Sequence, residues 1–160
     1  MNRVASTTES IEHGMGGQLK TPQGKILIVD DEPSLRRVLR TTLAVHGFEI
    51  VEASTGEEAL VLVGTGRCDV VLLDIDMPGI GGMEACRELR RRDPCLQIMI
   101  LSVRDREEDK VKAFDAGADD YVAKPFSVSE FLARLRAAVR RSKAMSGRTH
   151  QAPENAGARF

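Results

Sequence analysis

The sequence predicts an α/β protein with a doubly wound, five-stranded parallel sheet, (βα)₅, and three observations lead to this fold class. Five short apolar runs alternate with five segments of helical periodicity. The runs are rich in β-branched residues, which favours strands over buried helices. Parallel strands need crossover connections and are buried on both faces, so the intervening helices are expected to cover the two sides of the sheet.

The predicted strands are the apolar runs themselves. They span residues 25–29, 48–52, 69–73, 97–101 and 119–122. Each run is followed by enough chain for one helix. Strand and helix therefore alternate from residue 25 onwards, without an internal sequence repeat.

The predicted helices are marked by the residues that begin or end them. The first begins at Pro33, which suits the first helical turn, and ends before Gly47. Shorter helices are expected at 56–63, 82–91 and 106–116, because Gly64, Pro94 and Gly117 follow them. Helical spacing of apolar residues predicts the buried faces of the first and last helices, which comprise Leu35, Val38, Leu39, Thr42 and Leu43, and Val128, Phe131, Leu132, Leu135 and Val139.

The composition is typical of one soluble globular domain. The 160 residues are 29% charged and 42% hydrophobic, and the formal net charge of -1 gives no overall electrostatic footprint for nucleic acid or an anionic membrane. No stretch approaches the roughly 18 apolar residues of a membrane span, and no secretion signal is visible. Cys68, Cys86 and Cys95 are odd in number and lack metal-ligand spacing, which indicates free thiols in a reducing cytoplasm.

The two ends of the chain differ from its middle. Residues 1–24 and 143–160 are polar and contain few apolar anchors. We expect a disordered tail at 1–24, one domain at 25–142, and a disordered tail or the start of a linker at 143–160. No second pattern of strands and helices follows Arg141, so no DNA-binding domain is expected within this chain.

Polar and charged residues stand at the ends of the predicted strands. Asp30 and Asp31 follow the first strand, Asp74 the third, Ser102 the fourth, and Lys124 lies just beyond the fifth. Ligands of open α/β sheets bind at the carboxyl ends of the strands, near the point where the strand order reverses. In the flavodoxin-like order 2-1-3-4-5 the first and third strands are neighbours, so the three aspartates are expected to converge.

Three carboxylates in one pocket require a compensating cation, because like charges raise one another's pKa. Oxygen ligands with room for water suit Mg²⁺. A carboxylate beside Mg²⁺ can attack phosphorus and form an aspartyl phosphate, and a lysine can neutralise charge on the phosphoryl oxygens. Asp74 and Lys124 fit these roles, and Ser102 could donate a hydrogen bond to the phosphoryl group.

Four motifs, in order along the chain, resemble the receiver domain of two-component response regulators. They are I-L-I-V-D-D-E-P at 26–33, L-L-D-I-D-M-P-G at 72–79, L-S at 101–102 and G-A-D-D-Y-V-A-K-P-F at 117–126. The resemblance covers roughly residues 25–141. It implies that Asp74 accepts a phosphoryl group from a sensor histidine kinase. Asp31 and Asp74 would then ligate Mg²⁺ directly, Asp30 would act through water, and the backbone carbonyl of Asp76 would be a further ligand.

The resemblance also implies a conformational switch. Ser102 would turn towards the phosphoryl group, and the ring of Tyr121 would rotate inward behind it. Val103 stands where many members carry Ala or Gly, and its bulk is expected to narrow access to the phosphoryl group. The output surface would consist of helix four, strand five and helix five.

Three charge pairs on that surface resemble the dimer face of the OmpR/PhoB type of transcription regulator. They are Lys110 with Glu130, Asp115 with Arg136, and Asp120 with Arg134. The resemblance implies a homodimer favoured by phosphorylation and a role in transcription. DNA would be contacted only through an effector domain that this chain does not contain.

Three other interpretations of these residues are possible, and the same residues disfavour each of them. Asp74 and Asp76 form a D-x-D, as in phosphatases of the haloacid dehalogenase type, but those enzymes carry the nucleophile on the first strand, whereas Asp74 follows two βα units. A module that only keeps the fold would need the acidic trio, Ser102 or Lys124 to be broken, and none is. Negative charge at 30–32 could also serve only to stabilise the first helix, but Asp74 and Lys124 on the same rim disfavour that interpretation.

Overall fold

The computed structural model describes residues 21–149, in which five strands alternate with five helices. The strands are β1 Lys25–Val29, β2 Glu49–Ala53, β3 Val70–Asp74, β4 Gln97–Ser102 and β5 Asp120–Ala123. The helices are α1 Pro33–Val45, α2 Gly56–Thr65, α3 Gly81–Arg92, α4 Glu107–Asp115 and α5 Val128–Thr149. All strand pairs are parallel and the sheet order is β2-β1-β3-β4-β5. The predicted fold class and strand order are therefore confirmed.

Four strands extend one residue further towards their carboxyl ends than predicted. In particular, Asp74 and Ser102 belong to the ladder, where Asp74 pairs with Leu101 and Ser102 pairs with Ala123. Apolar runs report burial, whereas the ladder is defined by backbone hydrogen bonds, so the two need not end together. As a consequence, the backbone of both polar residues is fixed by the sheet.

Alternate residues of the strands contribute to two separate cores. One core packs residues such as Leu27, Leu73 and Ile100 against α2, α3 and α4. The other packs residues such as Ile28 and Leu72 against α1 and α5. This alternation follows from the period of two along a strand, and it explains why the central strands are apolar on both faces.

Gly47, Pro94 and Gly117 follow helices as predicted, whereas α2 continues through Gly64, the predicted stop, to Thr65. Two predicted core positions are also wrong. Gly47 and Gly117 have φ of 87° and 113°, the left-handed region in which glycine ends a helix without strain. Val38 is 60% exposed, because it lies at the edge of the apolar stripe centred on Leu39 and Leu43. Val128 is 52% exposed, because it is the first residue of α5 and precedes the turn that reaches the sheet.

The last helix is longer than the predicted domain. It continues to Thr149, so residues 143–149, which were expected to begin a tail or linker, are helical. Ser142 donates a hydrogen bond to Asp69 at 3.1 Å and Lys143 donates one to the carbonyl of Gln23 at 2.7 Å, which ties this part of α5 to the segments that precede β3 and β1. The expectations for residues 1–20 and 150–160 lie outside the described residues. Between residues 21 and 149, no helix has the length and apolar character needed to cross a membrane.

Candidate functional site

Three carboxylates meet at the carboxyl ends of β1 and β3, as the sequence predicts. One carboxylate oxygen from each of Asp30, Asp31 and Asp74 lies within 4.8 Å of the others. Asp30 and Asp74 are 3% and 8% exposed, whereas Asp31 is exposed. The cluster forms because β1 and β3 are neighbours in register, with Val29 beside Leu73.

Local backbone bonds hold one oxygen of each buried carboxylate. Oδ1 of Asp30 accepts the backbone N–H of Glu32 at 2.9 Å, and Oδ1 of Asp74 accepts the backbone N–H of Asp76 at 2.9 Å. Arg36 donates to the backbone carbonyl of Asp30 at 2.6 Å, which anchors the start of α1 to the same rim. Asp74 therefore keeps its other oxygen for a ligand, whereas Oδ2 of Asp30 faces Lys124 at 3.4 Å.

Gly82 makes room for the backbone that carries Asp74. Its Cα faces the carbonyl of Asp74 and the Cα of Ile75 so closely that a Cβ there would overlap both. A glycine at this position therefore lets α3 pack directly behind the phosphoacceptor candidate. The sequence offers little signal for this role, because Gly82 stands in a G-I-G-G run whose other members have open space or a positive φ.

Lys124 reaches the acidic cluster through Asp30. Its Nζ lies 3.4 Å from Oδ2 of Asp30, and the Lys124–Pro125 peptide bond that follows is cis. The pKa of Asp74 is raised, mainly because burial disfavours its charged form; the charges of Asp30 and Asp76 add to this, while the Asp76 N–H and Lys124 oppose it. The buried carboxylate is thus a group that gains from a nearby cation.

The oxygen-only character of the cluster fits Mg²⁺. Asp30, Asp31 and Asp74 offer three hard carboxylate ligands from a half-buried rim, without a nitrogen or sulfur ligand among them. The exposed position of Asp31 leaves one side open to water, which Mg²⁺ retains in part. These residues can therefore hold the ion that the sequence implies.

Ser102 and Tyr121 lie behind the rim, linked by one loop residue. Ser102 is fully buried; its Oγ donates to Oδ2 of Asp76 at 3.3 Å and accepts the backbone N–H of Arg104 at 3.0 Å. Tyr121 is 8% exposed, and its hydroxyl donates to the backbone carbonyl of Arg104 at 2.6 Å. The ring is therefore in an inward position. Val103 is 70% exposed, so most of its side chain lies in solvent.

Arg104 is the residue that sequence reasoning missed. Its Nε lies 2.6 Å from Oδ1 of Asp76, and its Nη1 lies 3.8 Å from Asp109 on α4. The sequence predicts a role for the backbone carbonyl of Asp76 and none for its side chain, which contacts Ser102 and Arg104. The sequence does show a cationic residue two positions after Ser102. Loop residues have no periodicity, however, so its contact with Asp76 could not be deduced.

The residues of the expected dimer face lie on α4, β5 and α5. Within the chain, Arg134 pairs with Asp120 at 2.9 Å and with Glu130 at 3.0 Å. Lys110 pairs with Asp105 at 2.8 Å within the chain. Asp115 ends α4 and Arg136 is exposed on α5, and the two form no ion pair with each other within residues 21–149. Partners across a dimer are not part of this single chain.

The comparisons with known proteins agree with the geometry. The family model for the response regulator receiver domain matches residues 26–136. The response regulator MprA of Mycolicibacterium vanbaalenii is 45% identical over 118 residues, which are 74% of this chain and 51% of the relative. MprA of Mycobacterium avium is 44% identical over 119 residues, which are 74% of this chain and 52% of the relative. The chain thus spans about half the length of the curated relatives it matches.

Solved structures show the same fold. The response regulator TrrA of Thermotoga maritima, in complex with Mg²⁺-BeF, matches with a TM-score of 0.67 and 37% identity over 72% of this chain and 98% of that one. The BeF3-activated N-terminal receiver domain of Klebsiella pneumoniae RstA matches with a TM-score of 0.70 and 33% identity, over 72% and 98%.

Proposed function

Because this chain belongs to the response regulator receiver domain family, we propose that Asp74 is its phosphoacceptor and that a sensor histidine kinase supplies the phosphoryl group in a Mg²⁺-dependent reaction. A receiver domain is a signalling switch rather than a turnover enzyme, so a phosphatase of the D-x-D type is not the function of this chain. The observation that carries the proposal is the convergence of Asp30, Asp31 and Asp74 within 4.8 Å at the carboxyl edge of the sheet.

The nucleophile is the carboxylate oxygen of Asp74 that no backbone group holds. Oδ1 accepts the N–H of Asp76, which leaves Oδ2 to attack phosphorus. The new bond joins this oxygen to phosphorus, and the bond between phosphorus and the donor breaks, with its electron pair going to the donor. Burial favours a dry environment in which positioned charges act strongly on the transferred group.

Mg²⁺ would be held directly by Asp31, Asp74 and the backbone carbonyl of Asp76, and through a water molecule by Asp30. When bound, Mg²⁺ supplies positive charge that offsets the repulsion between carboxylates and phosphoryl oxygens. Lys124 provides a second, permanent positive charge from the β5 side, where it already contacts Asp30 at 3.4 Å. The structure of TrrA, a relative at 37% identity, was solved in complex with Mg²⁺-BeF, which supports a Mg²⁺ site in this chain.

The switch consists of Ser102 and Tyr121. The Ser102 hydroxyl currently donates to Asp76, and a phosphoryl group on Asp74 would offer it a more negative acceptor, with up to about two charges. Its rotation would remove the acceptor that the Arg104 N–H uses. The loop carrying that N–H also carries the carbonyl that binds Tyr121, so the change is passed on to β5.

The output surface is α4, β5 and α5, and we propose that it forms a homodimer when Asp74 is phosphorylated. Val111 and Phe114 on α4 are 50% and 47% exposed and provide apolar area, while the charges of Lys110, Asp120 and Arg134 surround it. Exposed ion pairs contribute at most about 1 kcal/mol each, so they would set register and specificity more than affinity. Transcriptional output would require an effector domain.

Phosphorylation by acetyl phosphate tests the proposal. Wild type with Mg²⁺ should gain one phosphoryl group by intact mass, and Asp74→Asn should gain none. Glu49→Gln, an exposed carboxylate change at the opposite end of the sheet, serves as the matched control and should be phosphorylated normally. Removing Mg²⁺ with EDTA should abolish labelling of wild type. Persistence of the phosphoryl group in Asp74→Asn would overturn the assignment.

A further inference from the structure

The loop between β4 and α4 has no apolar anchor. Residues 103–106 have no regular secondary structure and all four are exposed, including Val103 at 70%. A loop of this kind cannot be positioned by core packing, so its polar contacts decide where it lies. These contacts converge on Arg104 and Asp105.

Arg104 uses its backbone and its side chain in different directions. The backbone N–H donates to Ser102 Oγ at 3.0 Å, and the carbonyl accepts the hydroxyl of Tyr121 at 2.6 Å. The guanidinium reaches across the rim to Asp76, with Nε 2.6 Å from Oδ1. Asp105 pairs with Lys110 at 2.8 Å and ties the same loop to α4, away from Asp76.

We propose that Arg104 is a positioning residue: its ion pair with Asp76 fixes the loop carbonyl that binds the Tyr121 hydroxyl and so holds the Tyr121 ring inward. The ring depends on the loop because its hydroxyl donates a hydrogen bond of 2.6 Å to the main-chain carbonyl of Arg104. An acidic side chain beside the phosphorylation site thereby determines the position of an aromatic ring on the output side. This goes beyond the proposed function, because the ion pair acts whether or not Asp74 is phosphorylated.

The ion pair is exposed enough to be weak and adjustable. The side chains of Arg104 and Asp76 are 56% and 28% exposed, so salt should screen their attraction. Tyr121 should therefore alternate between an inward and an outward position, with the balance set by this pair. Lys110, whose Nζ lies 6.0 Å from the ring centroid, favours the inward ring independently of Arg104.

The test uses Tyr121 as its own reporter. It is the single tyrosine of the chain, which contains no tryptophan, so tyrosine emission comes from this residue alone. Acrylamide, an uncharged quencher, measures its exposure in protein that has not been treated with acetyl phosphate. We expect Arg104→Gln to raise the quenching constant roughly two- to fivefold, the population change that loss of an exposed ion pair can produce.

Arg87→Gln is the matched control. Arg87 is 55% exposed and pairs with Glu84 at 3.1 Å on α3, a pair of the same kind without contact to Tyr121. It should leave quenching unchanged. Arg104→Lys, which keeps the charge but loses the planar guanidinium, should give an intermediate value. Circular dichroism and urea unfolding establish that each variant is folded.

Two further measurements separate the ion pair from a general loosening of the loop. Asp76→Asn should raise quenching as Arg104→Gln does, and the double variant should not exceed the larger single effect. High NaCl should raise the quenching of wild type but not of Arg104→Gln. The proposal is overturned if Arg104→Gln quenches like wild type, if the two substitutions add, or if Arg87→Gln has the same effect.

Discussion

The ammonium nitrogen of Lys124 lies 3.4 Å from Oδ2 of Asp30, and no cation of residues 21–149 forms an ion pair with Asp74. The more exposed of these two carboxylates, at 8% against 3%, is therefore the one without a charged partner. Burial raises the pKa of Asp74. In the absence of Mg²⁺ its ionised form costs stability, and this cost is open to measurement.

Asp74→Asn should stabilise the protein by about 1 kcal/mol at pH 7 without Mg²⁺, because a buried charge is removed while the acceptor for the Asp76 N–H is kept. Because the pKa of Asp74 is higher in the folded than in the unfolded protein, its carboxyl group stabilises the fold below the unfolded pKa, near 3.8. This contribution is lost as pH rises through the pKa of the folded protein. The gain should therefore shrink towards pH 4. Urea unfolding measures it, with exposed Asp31→Asn expected to gain less.

In the same experiment with Mg²⁺, wild type should become more stable than Asp74→Asn. An ion that binds only the native state stabilises wild type in proportion to the logarithm of its concentration, and Asp74→Asn should respond less. Equal stability of the two proteins at pH 7 in EDTA would contradict the buried-charge account.

Gly82→Ala should destabilise the protein by roughly 2–4 kcal/mol, because a Cβ there overlaps the backbone of Asp74 and Ile75 and neither can move without shifting β3. It should also slow phosphorylation by acetyl phosphate. Gly64→Ala is the control: it lies in α2 with nothing near its Cβ position, so it should stabilise by about 0.5 kcal/mol. Similar unfolding midpoints for the two variants would be inconsistent with the close packing of α3.

Tyr121 should ionise above its ordinary pKa of 10.0 in the native protein, mainly because burial disfavours the phenolate, an effect that a bond to Ser102 opposes. Tyrosinate absorbance follows this one group, since the chain has a single tyrosine. A raised pKa gives stability that is present below pH 10 and is lost as pH rises through the native value. The titration midpoint should fall in urea. A native midpoint at or below 10 would mean that the ring is accessible to water.

Arg134→Glu should weaken dimerisation of the acetyl-phosphate-treated protein by at least about tenfold, because it places like charges beside Asp120 and Glu130 on the proposed face. Analytical ultracentrifugation with Mg²⁺ measures the dissociation constant. Arg91→Glu on α3, which is exposed and lies outside this face, should dimerise as wild type does. Unchanged dimerisation of Arg134→Glu would argue for a different interface.

The fold could be predicted from the sequence because two independent signals agree. The apolar runs give the strands, and strand-end polar residues are brought together by one strand order, in which Asp30 and Asp74 are neighbours. The ends of the helices and strands were less predictable. The polar residues after 142 carry no periodic apolar signal, yet α5 continues to Thr149, and hydrogen bonds of Ser142 and Lys143 hold the chain where this extension begins.

The part of the site that was missed depends on side-chain geometry. Asp76 and Arg104 are 28 positions apart in two loops, and their ion pair follows from the lengths and directions of those loops. Gly82 similarly shows its purpose only when α3 is seen against β3. Sequence patterns report faces of regular elements, whereas contacts between loops depend on how those elements are arranged.

The alternation of the strands directs the side chain of Asp74 and those of Ser102 and Tyr121 towards different sides of the sheet. The side chain of Asp74 has the same parity along β3 as Val70 and Leu72, which face α1 and α5. Ser102 has the opposite orientation on β4, and Tyr121 belongs to the core beneath α3 and α4. The packed strands separate these two sides, so any coupling between Asp74 and Tyr121 has to pass through residues at the carboxyl edge of the sheet. Substitutions in the middle of the strands should therefore change the stability of the fold. Substitutions at the carboxyl edge should change the coupling between Asp74 and Tyr121.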